Sequence, residues 1–172
     1  MDLKERQTPL KAHYRADPDA ARITLSAEAR HGDESTACSI DIGRAIYEAQ
    51  AHAGVGGAGT AACSGDLLLG ALAACAQITC QMVAESMRVP VRAVDVTVEG
   101  DLDLRGTLAV ARKSPVGFIA IRTRFAIDAP DATDEQIARL RRSTEAYCTV
   151  LQTLRQPPPV EAEWTRDRKS VV

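Results

Sequence analysis

Gly65 to Met87 is a stretch without proline, rich in Ala, Leu, Met and Gln, and it reads as one long helix at the centre of whatever this chain folds into. Ser64 is a good N-cap and Asp66 places a carboxylate in the first turn, where the helix dipole favours it. In its first half the helix is apolar over most of its circumference, which implies burial in the core or against a partner chain. The longest apolar run, Leu67 to Ala76, is bounded by Asp66 and Gln77. That is about half of the ~20 residues needed to cross a bilayer, so a soluble protein without a membrane partner is expected.

Strand patterns flank this helix on both sides. Ile23, Leu25, Ala27 and Ala29 alternate with Arg22, Thr24, Ser26, Glu28 and Arg30; after a turn at His31 to Glu34, Thr36, Cys38, Ile40 and Ile42 alternate again, giving a hairpin. Leu10 to Tyr14 adds a possible third strand. Gly43 to Ala51 is expected as a short helix, followed by a loop carrying Gly54, Gly56, Gly57 and Gly59. Beyond Pro90, Val94, Val96, Val98, Leu102 and Leu104 oppose Asp95, Thr97, Glu99, Asp101 and Asp103, the clearest strand in the sequence. Ile119 to Ile127 makes another, with Arg122 and Arg124 on its second face. Thr133-Asp134-Glu135-Gln136 is a capping box opening a helix through Ile137, Leu140, Tyr147, Leu151 and Leu154, which Pro157 to Pro159 stop. Val160 to Trp164 is read as a closing strand. Strands, helix, strands, helix and strand make an α+β fold.

At 172 residues and 18.4 kDa the chain fits one domain, with residues 1–9 as an N-terminal extension, 10–165 as the domain and 166–172 as a charged tail. A net charge of −2 and only six aromatic residues give no footing for nucleic acid. No secretory apolar segment is visible in MDLKERQTPLK, so a reducing cytoplasm is expected and the five cysteines are expected as thiols.

Those cysteines carry the chemistry. The three histidines, His13, His31 and His52, have no ligand spacing, and Cys75 and Cys80 lie about 140° apart around a helix, so neither a zinc hydrolase nor a structural zinc site is expected. The glycine-rich loop lacks the Lys-Ser/Thr ending of a phosphate cradle. Taken singly, Cys75 on the central helix and Cys148 in line with Leu140, Thr144 and Leu151 each read as a small core hydrophobe. Together, on the core-facing sides of two helices, they supply what a reversible dithiol cycle requires; whether they meet is left open by the sequence. Cys38 and Cys80 read as packing, and Cys63, ahead of the helix start, as a candidate second partner for an oxidised Cys75.

SGDLLLGALAACAQIT, Ser64 to Thr79, resembles the central-helix segment of the OsmC/Ohr family of thiol-dependent hydroperoxide reductases, and EAYCTVLQTL, Glu145 to Leu154, resembles the segment around that family's second cysteine. The resemblance implies an OsmC-like α+β fold with antiparallel sheets packed around a long central helix and a second helix, in an intertwined homodimer. It makes Cys75 the peroxidatic and Cys148 the resolving cysteine. Many members have Asn-Pro-Glu at the start of the central helix, the Glu orienting a catalytic Arg. Here the triplet is Cys63-Ser64-Gly65, leaving Asp66, one residue late, as the candidate substitute. Thr149 stands where a proline often follows the resolving cysteine. Arg15 and Arg44 are the candidates for the activating cation, which such chemistry needs because the thiolate is the nucleophile. His52 is a further candidate for lining the pocket.

The function so implied is reduction of an organic hydroperoxide to an alcohol through a Cys75 sulfenic acid and a Cys75 to Cys148 disulfide, reset by an external dithiol, with no cofactor because sulfur supplies both electrons. Gly65 keeps an alternative open: a non-peroxidatic binding or thiol-carrier protein for a small apolar or sulfur-containing ligand. A purely structural dimerisation domain is the third reading.

Overall fold

A computed structural model describes residues 28–31, 37–41, 46–109 and 112–165. The expected N-terminal extension, the strand at Leu10 to Tyr14, the tail 166–172 and both candidate arginines, Arg15 and Arg44, lie outside them.

Strands β1 (Glu28–His31), β2 (Ala37–Asp41) and β3 (Ile46–Gln50) form an antiparallel sheet in that order, with Arg30 opposite Ser39 and Ile40 opposite Tyr47. The pairing of β1 with β2 agrees with the expected hairpin, with His31 in β1 rather than in the turn; residues 22–27 and 32–36 of that expectation lie outside the described residues. The short helix expected over Gly43 to Ala51 is instead β3. Helix propensity differs by only a few tenths of a kcal/mol among Ala, Glu, Gln and Ile, whereas five residues of β3 complete a ladder with β2 that the local sequence cannot announce. Beyond β3, Gln50 N–H donates to Ala62 O at 3.0 Å and Gln50 Oε1 accepts from Thr60 Oγ1 at 2.9 Å, folding the glycine loop back on itself.

Helix α1 (Ser64–Met87) begins one residue earlier than expected, with Cys63 rather than Ser64 as its N-cap. The Cys63 N–H donates to Asp66 Oδ2 at 2.9 Å, so the Asp66 side chain closes the first turn from the N3 position. Arg88, at φ 56°, ends the helix in the left-handed conformation. Leu72, Ala76, Cys80 and Ala84 repeat every four residues and form one buried stripe, which packs against β4, α3 and α4. Strands β4 (Ala93–Leu102) and β5 (Phe118–Asp128) pair antiparallel, with Val94 opposite Ile127, Val96 opposite Phe125 and Val98 opposite Thr123. Their second face carries Glu99 and Asp101 against Arg124 and Arg122, as the sequence pattern implied. Leu104, expected to extend β4, opens the short turn of helix α2 (Leu104–Thr107).

The C-terminal helix is two helices. The Thr133 capping box is present, Gln136 N–H reaching Thr133 Oγ1 at 3.2 Å and Thr133 N–H reaching Gln136 Oε1 at 2.8 Å. It opens α3 (Asp134–Tyr147), but Cys148, at φ −73° and ψ 103°, ends that helix and caps α4 (Thr149–Arg155). Tyr147, placed on the core side by the helical period, is the last residue of α3 and is 73% exposed. Residues 157–165 form no strand, and Val160 and Trp164 are exposed; the pattern there is period two, but no neighbouring strand among the described residues pairs with it.

Leu140, fully buried, joins Cys80, Ala84, Val89 and Val94 in the core between α1, α3 and β4. Truncation by Leu140→Ala is expected to cost about 2–5 kcal/mol, read as a lower melting temperature in a denaturation series.

Candidate active site

Cys75 lies on the third turn of α1, between Leu72 and Ala76 of the buried stripe, and its own side chain is only partly covered. Cys148 sits in the break between α3 and α4 and is fully buried. The two sulfurs are 3.5 Å apart, with Cys148 S–H donating to Cys75 Sγ. A disulfide is about 2.05 Å long, so bond formation requires an approach of only ~1.5 Å. Thr79, one helical turn beyond Cys75, brings Oγ1 to 4.0 Å from Cys75 Sγ. Leu72, Ala76 and Cys148 form a buried cluster, and Cys75 with Val96, Val98, Ile121, Phe125, Val150 and Leu151 packs against it to make one apolar shell.

The environment makes the thiols unequal. Burial pushes the Cys75 thiol up, but the N–H groups of Val150 and Thr149, the Cys148 thiol and the Thr79 hydroxyl all favour its anion, and the net effect is a pKa below that of an ordinary cysteine. For Cys148, burial dominates, and the neighbouring Cys75 raises it further against the Leu151 N–H, so its thiol is held above the ordinary value. Cys75 is therefore the group that ionises first and Cys148 the one that keeps its proton. Among the described residues no cation contributes to the lowering of Cys75.

The remaining candidates are placed as follows. Asp66 lies nine residues before Cys75 on the same helix, some ~13 Å along its axis, and is engaged with the Cys63 N–H, which with the Cys63 thiol holds its carboxyl below the usual range. Asp66 and Cys75 are thus not brought together in this chain. Cys63 is ~18 Å from Cys75 along the same helix, too far to be a second disulfide partner within one chain. His52 Nδ1 accepts from Gly54 N–H at 3.0 Å and caps a single 3-10 turn, Ala53–Val55. Cys80 is buried in the core, which pushes its thiol up, as its packing reading requires. Thr79 had a visible signal, a hydroxyl four residues from Cys75 on a helix. The N–H groups of Thr149 and Val150 had none, because main-chain donors carry no residue signature.

A family model described as OsmC-like protein matches residues 57–163, more than half of the chain. The chain belongs to the OsmC-like protein family. Among solved structures, an OsmC-like protein from Mycoplasma pneumoniae superposes with a TM-score of 0.64 at 15% identity, covering 78% of this chain and 89% of that one. An organic hydroperoxide resistance protein from Elizabethkingia anophelis gives 0.59 at 18%, covering 80% and 91%. The Legionella pneumophila organic hydroperoxide resistance protein OsmC gives 0.58 at 18%, covering 79% and 92%. These likenesses establish the OsmC-like α+β fold. No curated protein matches the chain.

In this OsmC-like site, alkylation of Cys75 by iodoacetamide, followed peptide by peptide as pH rises, should reach half its plateau below the ~8.5 of a free cysteine. Cys148 should do so above it. Thr79→Val, by deleting one donor to the anion, should move the Cys75 midpoint upward.

Proposed function

We propose that this OsmC-like protein is a cysteine-based peroxidase that reduces organic hydroperoxides to alcohols. The observation that carries the reading is the 3.5 Å approach of two thiols whose acidities are driven in opposite directions. The Cys75 thiolate attacks the distal oxygen of ROOH; the O–O bond breaks, the alkoxide departs and takes a proton as ROH, and the sulfur, oxidised by two electrons, becomes a sulfenic acid. Cys148 then gives up its proton as its sulfur attacks Cys75, hydroxide leaves as water and the disulfide closes. An external dithiol restores both thiols by exchange, through a mixed disulfide. Hydroperoxide resistance proteins among the structural neighbours support this substrate class.

The apolar shell favours bulky hydroperoxides over hydrogen peroxide. A cavity of about 690 Å³ between β5 and the α3–α4 pair shares Leu72, Ile121, Phe125 and Leu151 with that shell, although neither sulfur lines it. A homodimer in a reducing cytoplasm is part of the same proposal. Helix α1 is long and apolar enough to cross a membrane by length and composition, yet only 22% of its most apolar window is buried within the chain. Leu68, Ile78 and Met82 stay exposed on it, an apolar face that a second copy would cover. Activating cations such as Arg15 or Arg44 belong to the proposal as candidates.

The binding or thiol-carrier reading draws on Gly65 and on the engagement of Asp66 in the helix cap. One experiment separates the two. Reduced protein receives one equivalent of cumene hydroperoxide, is quenched within seconds and mapped by peptide mass spectrometry. A Cys75 to Cys148 disulfide is expected, faster than with hydrogen peroxide; Cys75→Ser should abolish turnover, and Cys148→Ser should stop at the sulfenic acid. Thiols that stay reduced would sink the peroxidase and leave the carrier.

A further inference from the structure

Interrupting a helix at Cys148 releases main-chain groups that an unbroken helix would pair. The N–H groups of Thr149 and Val150 would have bonded the carbonyls of Glu145 and Ala146; at the break they favour the Cys75 anion instead. The Glu145 carbonyl thereby loses its helical donor, and a carbonyl shielded from water is costly to leave without one. Its replacement comes from one turn into α4. Gln152 Nε2 donates to Glu145 O at 2.7 Å, while the Gln152 N–H donates to Cys148 O at 2.9 Å. A single residue thus grips both sides of the break, its main chain on Cys148 and its side chain on the last turn of α3. The Glu145 carboxylate adds a second brace, taking Arg141 Nε at 3.1 Å and Arg155 Nη2 at 3.0 Å. Those guanidinium groups are largely in solvent, where such pairs contribute little. The half-buried Gln152 amide is the stronger tie.

We propose that Gln152 is a positioning residue of the thiol site, its side-chain amide bridging α3 and α4 across Cys148 so that the Cys148 thiol and the start of α4 are held against Cys75 Sγ. Gln152 touches neither the sulfur nor a substrate and acts through the direction of α4. The inference rests on the reading of Cys75 as the reactive thiol, so its readout is one that needs no hydroperoxide: the pH midpoint of Cys75 alkylation by iodoacetamide.

Gln152→Met keeps length and helix propensity while removing the donor. In that variant the midpoint should rise, and the alkylation rate at pH 7 should fall by about three- to tenfold, the equivalent of half to one pKa unit in thiolate fraction. Gln152→Lys, which retains a donor on a long stem, should stay within about twofold of the parent. Gln152→Glu, isosteric but acceptor-only at neutral pH, is the second test should the Met variant fail to fold, and should behave as Met or worse. A midpoint unchanged in folded Gln152→Met or Gln152→Glu overturns the proposal, as does a rise in Gln152→Lys equal to that of the donor-less variants. Failure of the peroxidase reading looks different: the parent protein would show the lowered Cys75 midpoint and the Gln152 dependence but no disulfide after hydroperoxide.

Discussion

Cys75 becomes acidic through a helix that stops. Had the segment from Asp134 run unbroken to Arg155, the N–H groups of Thr149 and Val150 would be spent on the preceding turn, and Cys148 would be one more small hydrophobe on a core-facing stripe. The ψ of 103° at Cys148 changes that. It frees two donors that favour the anion of a sulfur on a different helix, and sets the Cys148 thiol 3.5 Å from that same atom. The acidic thiol, the donors that favour its anion and the second thiol are assembled by one change of chain direction, and the rest of the molecule keeps its two ends in place. The α1 stripe of Leu72, Ala76, Cys80 and Ala84 seats α3 and α4, and β4 closes over them.

The division of labour between the thiols follows from solvation rather than from residue type. Both sulfurs lose water, and burial alone would raise both. What separates them is the count of donors each can collect as an anion. Cys75 takes two main-chain N–H groups, a hydroxyl and the other thiol; Cys148 has the Leu151 N–H, a share of the same Thr79 hydroxyl and a neighbour that is itself becoming negative. Each unit of separation is about 1.4 kcal/mol, and the sign suffices to fix the order of events. In the proposed peroxidase the accessible thiolate meets the oxidant first, and the buried thiol waits beside it.

Much of this was legible in the sequence because it was written in side chains. The long helix, the period-two runs of β4 and β5, the Thr133 capping box and the placing of Glu99, Asp101, Arg122 and Arg124 on the polar faces of their strands all follow from residue spacing; the ion pairs between them follow from the β4–β5 register. The errors fall where main chain or distant pairing decides. β3 was read as helix because Ala, Glu and Gln have no strong dislike of either state and the deciding ladder lies on β2. The break at Cys148 is invisible in the sequence because Thr149 is not proline and the apolar period runs on through Leu151 and Leu154 as one helix, yet the chain turns there. Cys63 took the N-cap that Ser64 was given, since Asp66 reaches back to the Cys63 N–H. The pairing of Cys75 with Cys148 came from family resemblance, and the geometry supplied the reason for it.

A thiolate can be stabilised by a cation or by converging N–H groups, and the two differ in what oxidation does to them. A guanidinium acts over a distance and remains in place when the sulfur is neutral. Main-chain donors act only at contact, and their favourable interaction is with the anion. Gly65 removes the side chain that the family resemblance gives the task of orienting an arginine, and Asp66 is spent on the helix cap. Around Cys75, the described residues therefore leave the start of α4 as the main source of stabilisation, supplemented by Thr79. In the proposed cycle, once the sulfur enters a disulfide its negative charge is gone and those N–H groups lose their anionic partner, while the S–S bond to Cys148 takes over the tie between α1 and the α3–α4 junction. Reduction by a dithiol restores the anion and with it the attraction. In such an arrangement the acidity of Cys75 and the seating of α4 are two descriptions of one interaction, and neither can change without the other.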